Sequence, residues 1–269
     1  SPPIPSLSRK TTSFWAGMMK QELKRQLSNR GAAIFPKLMP DPVSASSMAS
    51  ASGAKSKNSS DIPDASFPSL DRGTIKSTVL SVENMSEFGS LYVDFLKVRR
   101  QVFVEDKGWG LPVVDGMEFD QYDTPASRWV TVHEDGHVMA GVRLTPTTHR
   151  CGIYTYMIRD AQRGLLETIP ADLLDRKAPI ASHIWESSRV FVSREVPANL
   201  RFRVQMQLIS EMVSSARALG ASELIGIIPA NSPRLARRVG LDCVPAGREL
   251  DFDGEKSVAV SISMATKMH

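Results

Sequence analysis

Hydrophobic residues recur every three or four positions along two long stretches of the chain, and this spacing predicts two amphipathic helices. The first helix runs from Met85 to about Asp106. The second runs from about Asn199 to Leu219 and is followed by Gly220, a residue that favours the end of a helix. Shorter helices are predicted around Tyr156–Leu166 and, with a basic character, over Pro233–Val239.

Alternation of apolar and polar residues marks the predicted strands. Arg128–Val132 and Val138–Leu144 flank Asp135-Gly136, a dipeptide that strongly favours a hairpin turn. Further strands are predicted at Thr78–Val82, Ile184–Val192, Leu224–Pro229 and in a last hairpin of Arg248–Phe252 and Ser257–Met264 around Asp253-Gly254. This order of elements predicts an α/β fold, with a mixed and mostly antiparallel sheet that carries helices on both faces.

The N-terminal part of the chain differs in composition from the rest. Residues 1–40 carry seven basic residues and one acidic residue, and residues 44–60 are a low-complexity stretch rich in Ser and Ala. We therefore predict a disordered tail and linker over residues 1–73 and a folded domain over residues 74–269. Apolar residues from Trp15 to Leu27 leave a membrane-surface helix, a partner-binding helix or a transit-like segment as alternatives. Because the basic excess belongs to the tail, it does not predict nucleic-acid binding by the folded part.

Composition excludes several other classes of protein. The longest apolar run is far too short to span a membrane. Cys151 and Cys243 form neither a metal-ligand pattern nor a disulfide framework, which is typical of a reducing compartment such as the cytoplasm. The five histidines show no metal-binding spacing either, so we expect neither a metal nor a cofactor.

The stretch from Arg99 to Asp123 combines arginines, aromatic residues and carboxylates. Arg99 and Phe103 are four residues apart and share one face of the predicted helix. The segment Gly108-Trp109-Gly110-Leu111-Pro112 ends that helix and begins a loop, which leads to Glu118-x-Asp120-x-x-Asp123. A solvated loop with surface salt bridges is the alternative interpretation. A buried polar site is favoured because similar residues recur downstream.

Four segments carry a resemblance to a known family. They are Arg99-x-x-x-Phe103 with Gly108-Trp109, Glu118-x-Asp120-x-x-Asp123, Gly141-Val142-Arg143-Leu144-Thr145-Pro146-Thr147-Thr148 and Glu186-Ser187-Ser188-Arg189. In order and spacing the chain resembles the acyl-homoserine-lactone synthase (autoinducer synthase) family over roughly residues 75–265. The resemblance implies a three-layer acyltransferase-like fold related to the Gcn5-type N-acetyltransferases.

The resemblance also implies a reaction. The amine of S-adenosylmethionine attacks an acyl thioester of acyl carrier protein or coenzyme A, and the product closes to an N-acyl-homoserine lactone used in quorum sensing. The residues implied in catalysis are Glu186, Asp120 and Asp123, and those implied in substrate binding are Arg99, Phe103, Trp109, Arg143 and Arg189. Glu186 is expected to act as the base, and Trp109 to cover the sulfonium. Glu186 and Arg189 are three apart on a strand and face opposite sides of the sheet unless a bulge intervenes.

Two other functions stay open at this point: an N-acyltransferase that uses another amine, such as an amino acid, and a non-catalytic binding module. The acyl donor is expected to be acyl carrier protein, because Val196-Pro197-Ala198-Asn199 stands where a coenzyme A site has a glycine-rich loop. Acyl carrier proteins are acidic, so we predict docking on a basic cluster of Arg234, Arg237 and Arg238. Neither nucleic acid nor stable membrane insertion is expected.

Overall fold

The computed structural model describes residues 75–264, except residues 239 and 253. The predicted tail and linker over residues 1–73 therefore lie outside the described residues. No helix among the described residues is both long and apolar enough to cross a membrane.

A seven-stranded sheet forms the centre of the fold. Its strands are β1 (Lys76–Leu80), β4 (Arg128–Glu134), β5 (His137–Pro146), β6 (Ile184–Val192), β7 (Glu223–Pro229), β8 (Asp242–Phe252) and β9 (Glu255–Ser263), and a separate small hairpin comprises β2 (Val113–Val114) and β3 (Met117–Glu118). The order in the sheet is β1-β4-β5-β6-β7-β9-β8. Only β6 and β7 run parallel, and every other pair of neighbours is antiparallel. The prediction of a mixed, mostly antiparallel sheet is therefore confirmed.

Helices cover both faces of this sheet, as predicted. The long helix α3 (Ala198–Ala218) packs on one face, where Val204, Leu208 and Met212 join the inward residues of the strands in the main apolar core. On the opposite face lie α1 (Leu91–Arg99) and the short α2 (Met157–Gln162). A fourth helix, α4 (Ser232–Arg238), follows β7.

The first predicted helix is interrupted near its start, at Gly89 with φ +58°, and is continuous only from Leu91 to Asp106, where its geometry changes along its length. A single 3₁₀ turn at Met85–Phe88 precedes α1, and residues Arg100–Asp106 continue α1 as a π-helix. Such widened turns are rare and are frequently found at functional sites. Here the wider turn lies between Arg99 and Trp109, two of the residues predicted to bind substrate.

The structure contains two further features that the sequence analysis did not predict. The loop after Pro112 contains the hairpin of β2 and β3, which turns at Asp115-Gly116. β8 begins at Asp242, six residues before the predicted start, because its first half pairs with β9 as far as Pro245.

A β-bulge at Arg189 changes the direction of the side chains along β6. Between Gly141 and Arg143 on β5, the partner strand β6 advances from Phe191 to Ser188, one residue more than regular pairing allows. Arg189 takes up the difference with a left-handed backbone, φ +55°. A bulge was the condition under which Glu186 and Arg189 could face the same side of the sheet. The bulge is present, and the two side chains do so.

Candidate active site

Three arginines and three carboxylates meet on the sheet face that also carries α1. They are Arg99 from α1, Arg143 from β5, Arg189 from the bulge of β6, Glu118 from β3, and Asp120 and Asp123 from the loop that follows β3. Charged side chains are rarely buried unless they are paired, so a cluster of this kind requires that each charge meets an opposite one.

Asp123 is the carboxylate most completely enclosed by cations and donors. Arg99 donates to both of its oxygens, at 2.7 and 3.1 Å, and Trp129 Nε1 donates to Oδ1 at 3.0 Å. Arg143 lies 3.0 Å from the same Oδ1. Burial alone would raise the pKa of Asp123, but Arg143 and Arg99 outweigh it and hold that pKa well below its ordinary value.

Asp120 joins the two strand arginines. Arg143 donates to its two oxygens at 2.5 and 3.3 Å, in the forked geometry that suits a guanidinium and a carboxylate. Arg189 donates to Oδ2 at 3.1 Å. The remaining Arg143 donor, Nε, lies 3.1 Å from the hydroxyl of Ser188, so β6 also holds this guanidinium in place.

Glu118 completes the cluster between Arg99 and Arg189. Arg99 Nε donates to it at 2.5 Å and Arg189 Nε at 3.3 Å. Arg99 and Glu118 have fully buried side chains, whereas the side chain of Arg189 is 9% exposed. Arg189 is thus the arginine of the cluster that lies nearest to solvent.

The three positive and three negative side chains of the cluster balance. Glu186 stands beside this neutral group as an additional carboxylate, fully buried on β6. Its oxygens accept the backbone N–H groups of Met157 at 3.1 Å and Ile158 at 2.8 Å, at the start of α2. Burial raises the pKa of Glu186 to about 7, although these two N–H groups and Arg143 favour the ionised form. A carboxyl with this pKa exchanges protons at neutral pH, as a general base must.

Aromatic side chains line the same region. Phe103 and Trp109 stack with ring centroids 5.2 Å apart, and the Arg189 guanidinium lies over Phe103 at 5.6 Å. Lys107 lies over Trp109 at 5.2 Å and forms an ion pair with Glu255 on β9 at 2.5 Å. The π-helical segment and the residues after it therefore bring an aromatic pair to the cluster. The same segment is joined to β9 by the ion pair of Lys107.

All eight residues predicted for catalysis or substrate binding are assembled in this region, which includes the cluster, Glu186 and the aromatic pair. The three arginines predicted for docking are placed differently, on α4. Arg234 and Arg237 are exposed there, and Arg237 donates to the carbonyl of Cys243 at 3.0 Å. The side chain of Arg238 lies outside what the structure describes.

Sequence reasoning gave no role to several residues that the structure brings into the site. Tyr122 lies under the Arg143 guanidinium at 5.7 Å and donates to the buried Asp160 at 3.2 Å. Ser188 positions Arg143, and Glu118 bridges two arginines. Glu118 could have been assigned from its place in the carboxylate motif, but nothing in the local sequence identifies Tyr122 or Asp160.

Among the described residues, no group of three or more His, Cys, Asp or Glu side chains is arranged to hold a metal ion. The expectation that no cofactor is required stays a prediction.

The sequence is similar to one protein family and to several of its members. Residues 84–267 match the family model described as autoinducer synthase. Among curated relatives, the acyl-homoserine-lactone synthase of Vibrio anguillarum is 30% identical over 178 residues, covering 64% of this chain and 86% of the relative. That of Acinetobacter nosocomialis is 31% identical over 188 residues, covering 67% of this chain and 95% of the relative.

Solved structures give the same answer for the fold. The acyl-homoserine-lactone synthase LasI superposes with a TM-score of 0.60 at 26% identity, over 72% of this chain and 92% of LasI. TofI, solved in a ternary complex with an inhibitor and MTA, superposes with a TM-score of 0.56 at 28% identity, over 70% of this chain and 91% of TofI. The range matched by the family model, residues 84–267, includes every element that contributes a residue to the cluster.

Proposed function

Because the chain belongs to the autoinducer synthase family, we propose that it transfers an acyl group from a thioester to the amine of S-adenosylmethionine and closes the product to an N-acyl-homoserine lactone. One observation carries the proposal. Glu186 is a buried carboxyl with its pKa raised to about 7, and it lies beside a charge-neutral cluster of arginines and carboxylates. S-adenosylmethionine has an ammonium, a sulfonium and a carboxylate, so its net charge of +1 complements an ionised Glu186.

The first step is acyl transfer. The substrate ammonium gives one proton to Glu186, and the resulting amine attacks the thioester carbon. As the C–N bond forms and the C–S bond breaks, the nitrogen loses a second proton and the thiolate leaves as a thiol. The pairing of β6 with β7 ends at Ser187 and Gly226, next to the bulge, and this separation of the strands supports an oxyanion site formed by backbone N–H groups near Arg189.

The second step is lactonisation. An oxygen of the substrate carboxylate attacks the γ-carbon, and the electron pair of the breaking C–S bond neutralises the sulfonium, which releases methylthioadenosine. Because the sulfonium is a good leaving group, the protein need only hold the carboxylate in line. Arg189, the most exposed arginine of the cluster, is suited to that task.

Asp120 and Asp123 have a positioning role in this mechanism. Asp120 forms ion pairs with all three arginines and Asp123 with two, and the pKa of Asp123 is held too low for proton exchange near neutral pH. They hold Arg99, Arg143 and Arg189 in place, and this leaves proton transfer to Glu186.

The product distinguishes this function from its alternatives. The protein is incubated with isotope-labelled S-adenosylmethionine and an acyl thioester, and the products are identified by mass spectrometry. A labelled acyl-homoserine lactone together with methylthioadenosine is expected. An open-chain N-acyl amino acid formed from an added amino acid would instead indicate an acyltransferase for another amine, and no acyl product would indicate a binding module.

We also propose acyl carrier protein as the donor, with docking on α4. No glycine-rich loop precedes α3, and Arg201 donates to the carbonyls of Ser193 and Val196 in that region. The exposed Arg234 and Arg237 provide a local positive surface suited to an acidic carrier.

Charge reversal tests this docking surface. Arg234→Glu is expected to slow association with acyl carrier protein about tenfold and to weaken its dependence on salt, because one attractive charge becomes repulsive. Stopped-flow measurements give the rate, and turnover with a small acyl-thioester analogue should be unchanged. Arg203→Glu, at an exposed position on α3, is the matched control. Equal loss with both donors, or equal slowing by the control, would contradict docking at α4.

The proposed reaction uses two substrates and requires neither a metal nor a cofactor. S-adenosylmethionine and acyl carrier protein both occur in the cytoplasm, so we propose that the enzyme works there.

A further inference from the structure

A buried hydroxyl without a hydrogen-bond partner lies next to Glu186. Thr145, on β5, is fully buried, and its Oγ1 has no partner in the structure. Such a group lowers stability, because folding removes its hydrogen bonds to water and supplies none in return. Three other side-chain atoms among residues 75–264 share this condition, on Gln101, His133 and Trp185. Only Thr145 lies directly opposite Glu186 in the sheet.

Strand register places the two side chains together. Thr145 on β5 pairs with Glu186 on β6. Residues directly opposite each other on antiparallel strands point to the same face, with Cβ atoms about 4.5–5.5 Å apart. The carboxylate of Glu186 meets the start of α2, so this face is the one that carries the cluster. Arg143, two residues before Thr145, faces the same way.

We propose that Thr145 Oγ1 and the Glu186 carboxylate together hold the amine of S-adenosylmethionine. An ammonium has three N–H donors and no acceptor, so it matches two acceptors on neighbouring strands. Glu186 accepts the proton that is lost, whereas Thr145 keeps its own proton and accepts a second N–H from the nitrogen. With one N–H held by Glu186 and one by Thr145, the position and orientation of the nitrogen are fixed before its proton is lost. This inference rests on the proposed function.

Two substitutions separate this function from a purely structural role. Thr145→Val keeps the shape of the side chain and removes the hydroxyl, and Thr145→Ser keeps the hydroxyl. With the valine variant we expect an unchanged or higher melting temperature but about tenfold lower turnover, because the unsatisfied group is removed together with a substrate contact. The serine variant should retain most of the parent turnover. A structural role alone predicts equal turnover in all three proteins.

A matched control lies on the neighbouring strand. Thr131, on β4, is also fully buried, but its hydroxyl has an acceptor, the carbonyl of Trp129 at 3.4 Å. Thr131→Val is expected to leave turnover unchanged. A loss of turnover as large as that of Thr145→Val would overturn the proposal, because it would show a general sensitivity of these strands to the substitution.

Binding by calorimetry provides the decisive measurement. Methylthioadenosine lacks the amine and the carboxylate of S-adenosylmethionine, so it should bind equally to the parent and to Thr145→Val. S-adenosylmethionine should bind the valine variant about tenfold more weakly. Equal weakening of both ligands, or of neither, overturns the role of Thr145. If the parent makes acyl-homoserine lactone while Thr145→Val matches it in every assay, only this inference fails. A parent that binds no S-adenosylmethionine overturns the proposed function as well.

Discussion

At Glu186, burial and hydrogen bonding act in opposite directions on one carboxylate, and burial is the stronger effect. With its pKa near 7, the carboxyl group gains and loses its proton near neutral pH, as the reaction requires.

Glu186→Gln has a similar shape but cannot accept the proton, so turnover should fall by on the order of 10²–10⁴-fold. In the parent, kcat/KM should fall as the pH is lowered below about 7, because the base becomes protonated.

Steady-state kinetics from pH 5.5 to 8.5 would test both statements, with circular dichroism to check that the variant is folded. Glu195→Gln, at an exposed position after β6, provides a control that should match the parent. Near-parent turnover in Glu186→Gln would remove Glu186 from the mechanism.

Arg189 combines a strained backbone with a charge that the cluster requires. A left-handed conformation costs a non-glycine residue about 1–2 kcal/mol, which glycine avoids. Arg189→Gly should therefore lose less stability than Arg189→Ala, although both variants lose the guanidinium and leave Glu118 and Asp120 short of a partner. Chemical denaturation gives the two free energies of unfolding, and activity should be lost to the same degree in both. A glycine variant less stable than the alanine variant would contradict strain at the bulge.

At the scale of the elements, β5 packs closely against α1 at Gly141, which has no side chain. A Cβ atom added at Gly141 would collide with the ring of Phe95 from α1 and would lie 2.9 Å from the ring of Phe191 on β6. Gly141→Ala should therefore destabilise the protein by about 1–3 kcal/mol, because both rings are buried and have no space into which to move. Gly110 is the control at which alanine should be neutral, because a Cβ atom added there would have no other atom within 4 Å. Thermal unfolding of both variants is the measurement, and equal melting temperatures would contradict the close contact.

The sequence was sufficient to predict those elements whose conformation is set by a few neighbouring residues. The hairpin at Asp135-Gly136 forms with φ +48° and +84°, the conformation that this dipeptide favours. Asp115-Gly116 has nearly the same angles, +50° and +78°, and could have been predicted from the same dipeptide. The π-helical turn could not, because its wider hydrogen bonding has no sequence pattern of its own.

The site was predictable in its residues but not in their arrangement. The motifs and the family resemblance identified Glu186 and Arg189, whereas the sequence could not show whether they share a face. That depends on the bulge, which is set by the pairing of β5 and β6. Thr145 appeared only as part of a motif, because an unsatisfied hydroxyl is recognised only after its surroundings are known.

For the whole molecule, Glu186 makes stability depend on pH. Its pKa is raised from 4.5 to about 7 on folding, so the folded protein binds this proton more tightly than the unfolded chain does. The stabilising contribution is fully present below pH 4.5 and is lost as the pH rises to about 7. Asp123 acts in the opposite sense, since its lowered pKa stabilises the fold above the ordinary value of 3.8 and this stability is lost in acid.

Comparison with Glu186→Gln isolates the contribution of Glu186. Each unit of pKa corresponds to about 1.4 kcal/mol, so the parent should lose on the order of 3 kcal/mol relative to the variant between pH 4.5 and 7. Urea denaturation of both proteins across this range gives the difference. Two curves that stay parallel would show that Glu186 is not perturbed by folding.

The wide separation of the cluster in sequence has a consequence for the order of folding. Arg189 and Glu118, for example, are 71 residues apart, and their contact requires both the sheet and the loop after β3. Contacts between distant parts of a chain form late, because a long loop must close before they are made. We therefore infer that the arginines stay hydrated until the sheet has formed and that their burial follows the folding barrier. Weakening the cluster would then hasten unfolding and leave the rate of folding nearly unchanged.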